Sequence, residues 1–105
     1  MMSDYCLVTV ACATRADAEG LAAGILEKRL AACVQLSEIT SFYEWKGVLH
    51  KDPEVLMLIK TRRDLYPMLE SHISRHHSYE VPEIVQIPIE NGLAAYLGWI
   101  DEVTR

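Results

Sequence analysis

No apolar run in these 105 residues approaches the roughly 20 needed to cross a bilayer, and no cluster of lysine and arginine offers a footprint for a polyphosphate backbone. A membrane span and nucleic-acid binding are thereby set aside as expectations. The N-terminus, Met1-Met2-Ser3-Asp4, lacks the basic start and apolar stretch of a secretory signal. The three cysteines, Cys6, Cys12 and Cys33, are odd in number and irregularly spaced, so no disulfide framework is expected. Together these absences predict a soluble, cytoplasmic protein. Neither a CxxC ligand pair, nor a Gly-rich phosphate loop, nor a nucleophile with an evident base is present, and no enzymatic activity is expected.

What is present is an acidic chain of net charge -5 in which 50% of residues are hydrophobic and only 24% charged. At this length it forms one domain, residues 1–105, and that apolar richness is accommodated most easily if some surface is buried between subunits. Ser41-Phe42-Tyr43-Glu44-Trp45-Lys46-Gly47 places three aromatic side chains beside a turn glycine, where two strands should meet. Left exposed, such a tip would be an apolar patch, so it is expected to dock on another subunit.

Tyr5 to Cys12 is too short for a helix and reads as a central strand. Thr14 and Asp17 resemble an N-cap with an acidic first turn, followed by Ala18, Leu21, Ala22, Ile25 and Leu26 at helical spacing. Cys33 to Tyr43 alternates as a second strand, Lys46-Gly47 turns, and Val48 begins the return. Asp52-Pro53 should interrupt that return by a bulge or an edge position before Glu54 to Lys60. Asp64 is the expected cap of a second helix, with Pro67 in its first turn and Leu65, Met68, Leu69, His72, Ile73 and His76 on one face. Glu83 to Ile89 forms a last strand, and Asn91-Gly92 opens a final amphipathic helix. The order β-α-β-β-α-β plus a C-terminal helix predicts an α+β, ferredoxin-like split βαβ sheet with both main helices on one face.

His72 and His76 are four residues apart, so their imidazoles can face one side and share a metal ion. Zinc would require further ligands, and copper(I) would favour a sulfur such as that of Cys33. The alternative is that His72 packs on the helix face while His76 and His77 close the helix C-terminus, where the dipole favours them. Cys6 and Cys12 read as core residues. Glu54, Lys60, Glu83 and Tyr79 can meet only where strand ends and the post-helix loop converge, and a Lys60–Glu83 network is expected there before a catalytic pair.

Read together, Leu30-Ala31-Ala32-Cys33-Val34, the Ser41–Gly47 tip, Glu54-Val55 with Ile59-Lys60-Thr61, His77-Ser78-Tyr79-Glu80-Val81-Pro82-Glu83 and the ending Tyr96-Leu97-Gly98-Trp99-Ile100 resemble the CutA divalent-cation tolerance family across nearly the whole chain. The resemblance implies a PII-like homotrimer in which hairpin strands pair between subunits, and a role in tolerance to divalent metals, chiefly copper. It matches Cys33, His76 and His77 to positions credited with copper binding, with His72 occupying a helix position that is cysteine in one family pattern. Cys33, His72, His76 and His77 are therefore the candidate metal ligands. Tyr43, Trp45, Glu54, Lys60, Tyr79, Glu83 and Trp99 are the candidates for an inter-subunit pocket. No resident cofactor is required, copper or zinc being the candidate ions. The competing reading is a PII-like signalling module that holds a small anionic ligand or a protein partner in inter-subunit clefts. Ser78 replaces the family's usual proline between histidine and tyrosine, releasing one backbone dihedral.

Overall fold

The computed structural model describes residues 3–105, so the reading of Met1-Met2 as a start without a leader lies outside the described residues. Four strands and three helices follow in the order β1 (Tyr5–Cys12), α1 (Arg15–Glu27), β2 (Cys33–Trp45), β3 (Val48–Arg62), α2 (Tyr66–His76), β4 (Ile84–Pro88) and α3 (Ala94–Val103). The sheet is antiparallel throughout with strand order β2-β3-β1-β4, which is the split βαβ topology.

Period-2 alternation sorts the two faces. Cys6, Val8, Val10 and Cys12 of β1 and Val55, Met57, Ile59 and Thr61 of β3 are buried, and the apolar ones pack with Ala18, Leu21 and Ile25 of α1 and Leu69 and Ile73 of α2 in one core. The Thr61 hydroxyl, fully buried, donates to the Leu30 carbonyl at 2.7 Å. At the start of α1 the Thr14 hydroxyl accepts from the Asp17 amide at 3.1 Å, as its sequence position predicts. At the end of α1, Arg29 turns into the left-handed region (φ 56°), and bonds from Leu30 N–H to Ile25 C=O and from Arg29 N–H to Leu26 C=O close the helix in a Schellman arrangement.

The hairpin tip is a two-residue turn with both central residues left-handed, Lys46 at φ 52° and Gly47 at φ 80°, the type I′ geometry that matches strand twist. Within β3, only Val55–Arg62 pair with β1, whereas β2 pairs with β3 all the way to Val48. Residues 39–45 and 48–54 therefore project past the sheet as a two-stranded arm about 23 Å long at strand rise. Phe42 is 74% and Leu49 83% exposed on that arm.

Several sequence expectations are corrected. Asp52-Pro53 neither bulges nor interrupts β3, since the register runs through it unbroken with Pro53 opposite Thr40; the edge position is what is found, this part of β3 having a neighbour on one side only and so tolerating a missing donor. Asp64 does not cap α2. It lies in a 3-10 turn (Arg63–Leu65) and is paired with the Arg62 guanidinium at 3.0 Å, while Leu65, which has no capping side chain, precedes the helix. The last strand is shorter than Glu83–Ile89, and α3 begins at Ala94, two residues after Asn91-Gly92. Among the described residues no helix is long and apolar enough to cross a membrane.

Candidate functional site

Two concavities flank the loop that leaves α2. The first is a groove of about 450 Å³ between α1 and the C-terminal turn of α2. Its floor on α1 is Gly20 and Gly24, one turn apart, and the His72 ring fills the space that a side chain at residue 24 would need: a Cβ there would stand 3.3 Å from His72 Nε2. His72 is 4% exposed, and its Nδ1 is buried without a hydrogen-bond partner. Burial first, and the neighbouring His76 second, hold its pKa below the ordinary 6.5, so the ring is neutral at physiological pH.

His76 lies one turn further along α2, its ring centroid 4.4 Å from that of His72. Its Nδ1 is 2.7 Å from the His72 carbonyl, which can only accept, so Nδ1 carries the proton and donates. In the neutral ring the Nε2 lone pair is then free. A metal-binding imidazole takes this form, with its tautomer fixed by a backbone carbonyl behind it.

His77 is differently engaged. Its Nδ1 accepts from the Tyr79 amide at 3.0 Å, so its Nε2 bears the proton and donates to the Ala11 carbonyl at 2.8 Å. Both nitrogens are committed, and the ring ties the post-helix loop to the end of β1. Cys12 Sγ stands 3.8 Å from that Nε2 and donates to Met57 Sδ at 3.6 Å. Burial, then the Asp17 and Glu54 carboxylates, push the Cys12 thiol up to about 11; burial likewise takes Cys6 to about 11. Neither offers a thiolate at neutral pH.

Cys33 is not brought to the histidines within one chain. It sits opposite Lys60, which faces Leu7, whereas the histidines gather at Ala11-Cys12, four to five positions or about 13 to 17 Å of strand away. Among the described residues no three His, Cys, Asp or Glu side chains converge closely enough to hold an ion.

The second concavity, about 420 Å³, lies where the arm leaves the sheet and gathers Tyr43, Trp45, Glu54, Tyr79 and Glu83 of the predicted pocket set, together with Glu80. Glu54, only 9% exposed, accepts from the Tyr79 hydroxyl at 2.7 Å through Oε2. Burial, then this bond, raise the Tyr79 pKa far above its ordinary 10.0. Tyr43 stacks on His50 at 5.1 Å and donates to Asp52 at 2.5 Å, which raises its pKa as well. Lys60 and Trp99 stand elsewhere, beside α3: the Lys60 ammonium is 5.6 Å from the Tyr96 ring centre, and that ring is 5.6 Å from Trp99. The Lys60–Glu83 network is accordingly absent from the single chain.

Sequence reasoning missed the groove's other wall and Glu80. The signal for the wall was present as Gly20 and Gly24, spaced one turn apart on α1, an opening for a facing side chain.

Comparison with known proteins follows the same outline. The family described as CutA1 divalent ion tolerance protein matches residues 6–103. The mouse protein named Protein CutA is 47% identical over 97 residues, covering 91% of this chain and 55% of its own, so the chain spans about half the length of its mammalian relatives. The divalent-cation tolerance protein CutA of Thermus thermophilus is 39% identical over 104 residues, covering 98% of this chain and 99% of its own. A solved structure titled periplasmic divalent cation tolerance protein CutA, from Archaeoglobus fulgidus, superposes with a TM-score of 0.93 at 37% identity, over 94% of this chain and 97% of its own. On the match of nearly its whole length, this chain belongs to the CutA1 divalent ion tolerance protein family.

Proposed function

We propose that this protein contributes to tolerance of divalent cations as a homotrimer that binds copper or zinc at His72 and His76, and that it is not an enzyme. The observation that carries the binding reading is the His76 tautomer: Nδ1 donates to a backbone carbonyl, leaving the Nε2 lone pair for a cation beside the neutral ring of His72. Two imidazoles suit zinc or copper better than magnesium or calcium, which prefer oxygen. Remaining positions fall to water, giving an exchangeable site in keeping with tolerance.

Support for self-association is the projecting arm, whose exposed Phe42 and Leu49 need cover and whose strand edges are open to another chain. Three free cysteines accord with a reducing, cytoplasmic setting, although the Archaeoglobus relative is titled periplasmic. Calorimetric titration of the reduced protein with zinc and with copper(II) tests the binding reading. Saturable binding that disappears in His72→Ala/His76→Ala at unchanged oligomeric mass is expected. Retained binding in that variant would refute it.

A further inference from the structure

Two imidazole nitrogens open on the groove between α1 and α2, and nothing else in its lining completes a metal shell. His72 is 4% exposed; its Nδ1 is sealed without a partner, while its Nε2, not sealed and also without a partner among the described residues, stands over Gly24. A buried imidazole unpaired at both nitrogens is a group that its own chain leaves unsatisfied. His76 likewise presents Nε2, its Nδ1 being tied to the His72 carbonyl. Zinc on these two nitrogens has half of a tetrahedral shell, and among the described residues no third His, Cys, Asp or Glu comes close enough to add to it.

Charge in the groove is lopsided. Lys28 lines it one turn beyond Gly24, about 6 Å further along α1, and its ammonium has no carboxylate within ion-pair reach among the described residues. After burial and His76, Lys28 is the next influence holding the His72 pKa down, with Arg75 behind it, so its charge reaches the ring. Asp17, the groove's carboxylate, lies seven residues before Gly24, about 10 Å along the helix axis. A divalent cation between neutral imidazoles therefore adds its charge beside an unpaired ammonium, and water in the remaining positions neutralises neither.

An anion with two carboxylates meets both demands at once. One carboxylate can take open positions on the metal and the other can pair with Lys28, the stem lying between them; a monocarboxylate can do only one of these. The floor leaves room, since a Cβ at Gly20 would meet nothing within 4 Å and the groove encloses about 450 Å³.

We propose, on the footing of the His72–His76 metal reading, that the groove binds its divalent cation together with a small dicarboxylate, one carboxylate replacing water on the metal and the other pairing with Lys28. Linkage makes the effect reciprocal: the dicarboxylate tightens the metal by the same factor by which the metal tightens the dicarboxylate.

The test is calorimetric titration of the reduced protein with zinc in buffers of equal ionic strength that contain succinate, acetate at the same carboxylate concentration, or neither. Succinate holds zinc weakly in water, and whatever zinc it sequesters lowers the apparent affinity, so a gain belongs to the protein. Succinate should tighten zinc by about fivefold or more and acetate should not, and succinate itself should bind tighter by the same factor with zinc present than with the metal chelated away. Lys28→Met keeps the aliphatic stem and removes the charge; it should abolish the gain while binding zinc alone no more weakly than the parent, and Lys28→Arg should keep the gain. A succinate effect no larger than that of acetate, or a gain that persists in Lys28→Met, overturns the proposal and leaves the metal reading intact. Zinc that binds in none of the buffers, or binds as well to His72→Ala/His76→Ala, overturns both.

Discussion

His77→Ala should destabilise the protein by about 2 kcal/mol without loss of metal binding. The ring makes two hydrogen bonds to backbone, to the Tyr79 amide at 3.0 Å and to the Ala11 carbonyl at 2.8 Å, and its face lies 4.9 Å from the Tyr79 ring. Each bond is worth about 1 kcal/mol net, and truncation strands both backbone groups, with water offsetting part of the loss because the ring is only half-buried. Two graded variants sharpen the test. Asn can place its carbonyl oxygen where Nδ1 accepts, and Gln can place its amide nitrogen where Nε2 donates, so each should recover about half of the loss. The assay is urea unfolding at one fixed protein concentration, since assembly shifts apparent stability. An Ala variant within about 0.5 kcal/mol of the parent, or Asn and Gln variants no better than Ala, would refute the strut and return His77 to the pool of ligands.

Further outcomes follow from the same geometry. Gly20→Ala should raise stability by about 1 kcal/mol, since helix propensity favours Ala and its Cβ meets nothing within 4 Å, whereas Gly24→Ala should gain less or lose, its Cβ pressing on His72 Nε2 at 3.3 Å; equal gains in thermal unfolding would contradict the groove's floor. Thr61→Val should cost about 1 to 2 kcal/mol in denaturant unfolding by orphaning the buried Leu30 carbonyl. The His72 pKa is lowered in the folded chain, so below 6.5 the unfolded chain takes up that proton first. The stability owed to this group is complete above 6.5 and is lost as pH falls toward the folded value, at a slope of no more than about 1.4 kcal/mol per pH unit. His72→Leu should flatten that part of the stability profile, and an unchanged profile would show that the ring does not titrate there.

Local chemistry was legible in the sequence where it was self-contained. The Thr14 cap needs only the Asp17 amide three residues on, and the Lys46-Gly47 turn only its own backbone, so both are found where the residues place them. Asp64 misled because a short acidic residue before a helix reads as a cap, while the folded chain gives it the Arg62 guanidinium two residues back. Pro53 misled because its tolerance depends on where β1 stops, a fact of register that β3 does not carry itself. The site shows the same division. That His72 and His76 share a helix face follows from their spacing, but the commitment of both His77 nitrogens depends on Ala11, at the end of a strand 66 positions away. Strand register likewise sends Cys33 and Lys60 to one end of the sheet, and the histidines and the acidic hollow to the other. Residue type gave the chemistry available; pairing decided which groups meet.

The claim that a divalent cation rests on His72 and His76 is tested most directly by X-ray absorption at the zinc edge of the stoichiometrically loaded, reduced protein. A first shell of nitrogen and oxygen at about 2.0 to 2.1 Å is predicted, with outer scattering from two imidazoles that vanishes in His72→Ala/His76→Ala and persists in His77→Asn. A sulfur shell at about 2.3 Å, or imidazole scattering that follows His77, would contradict it.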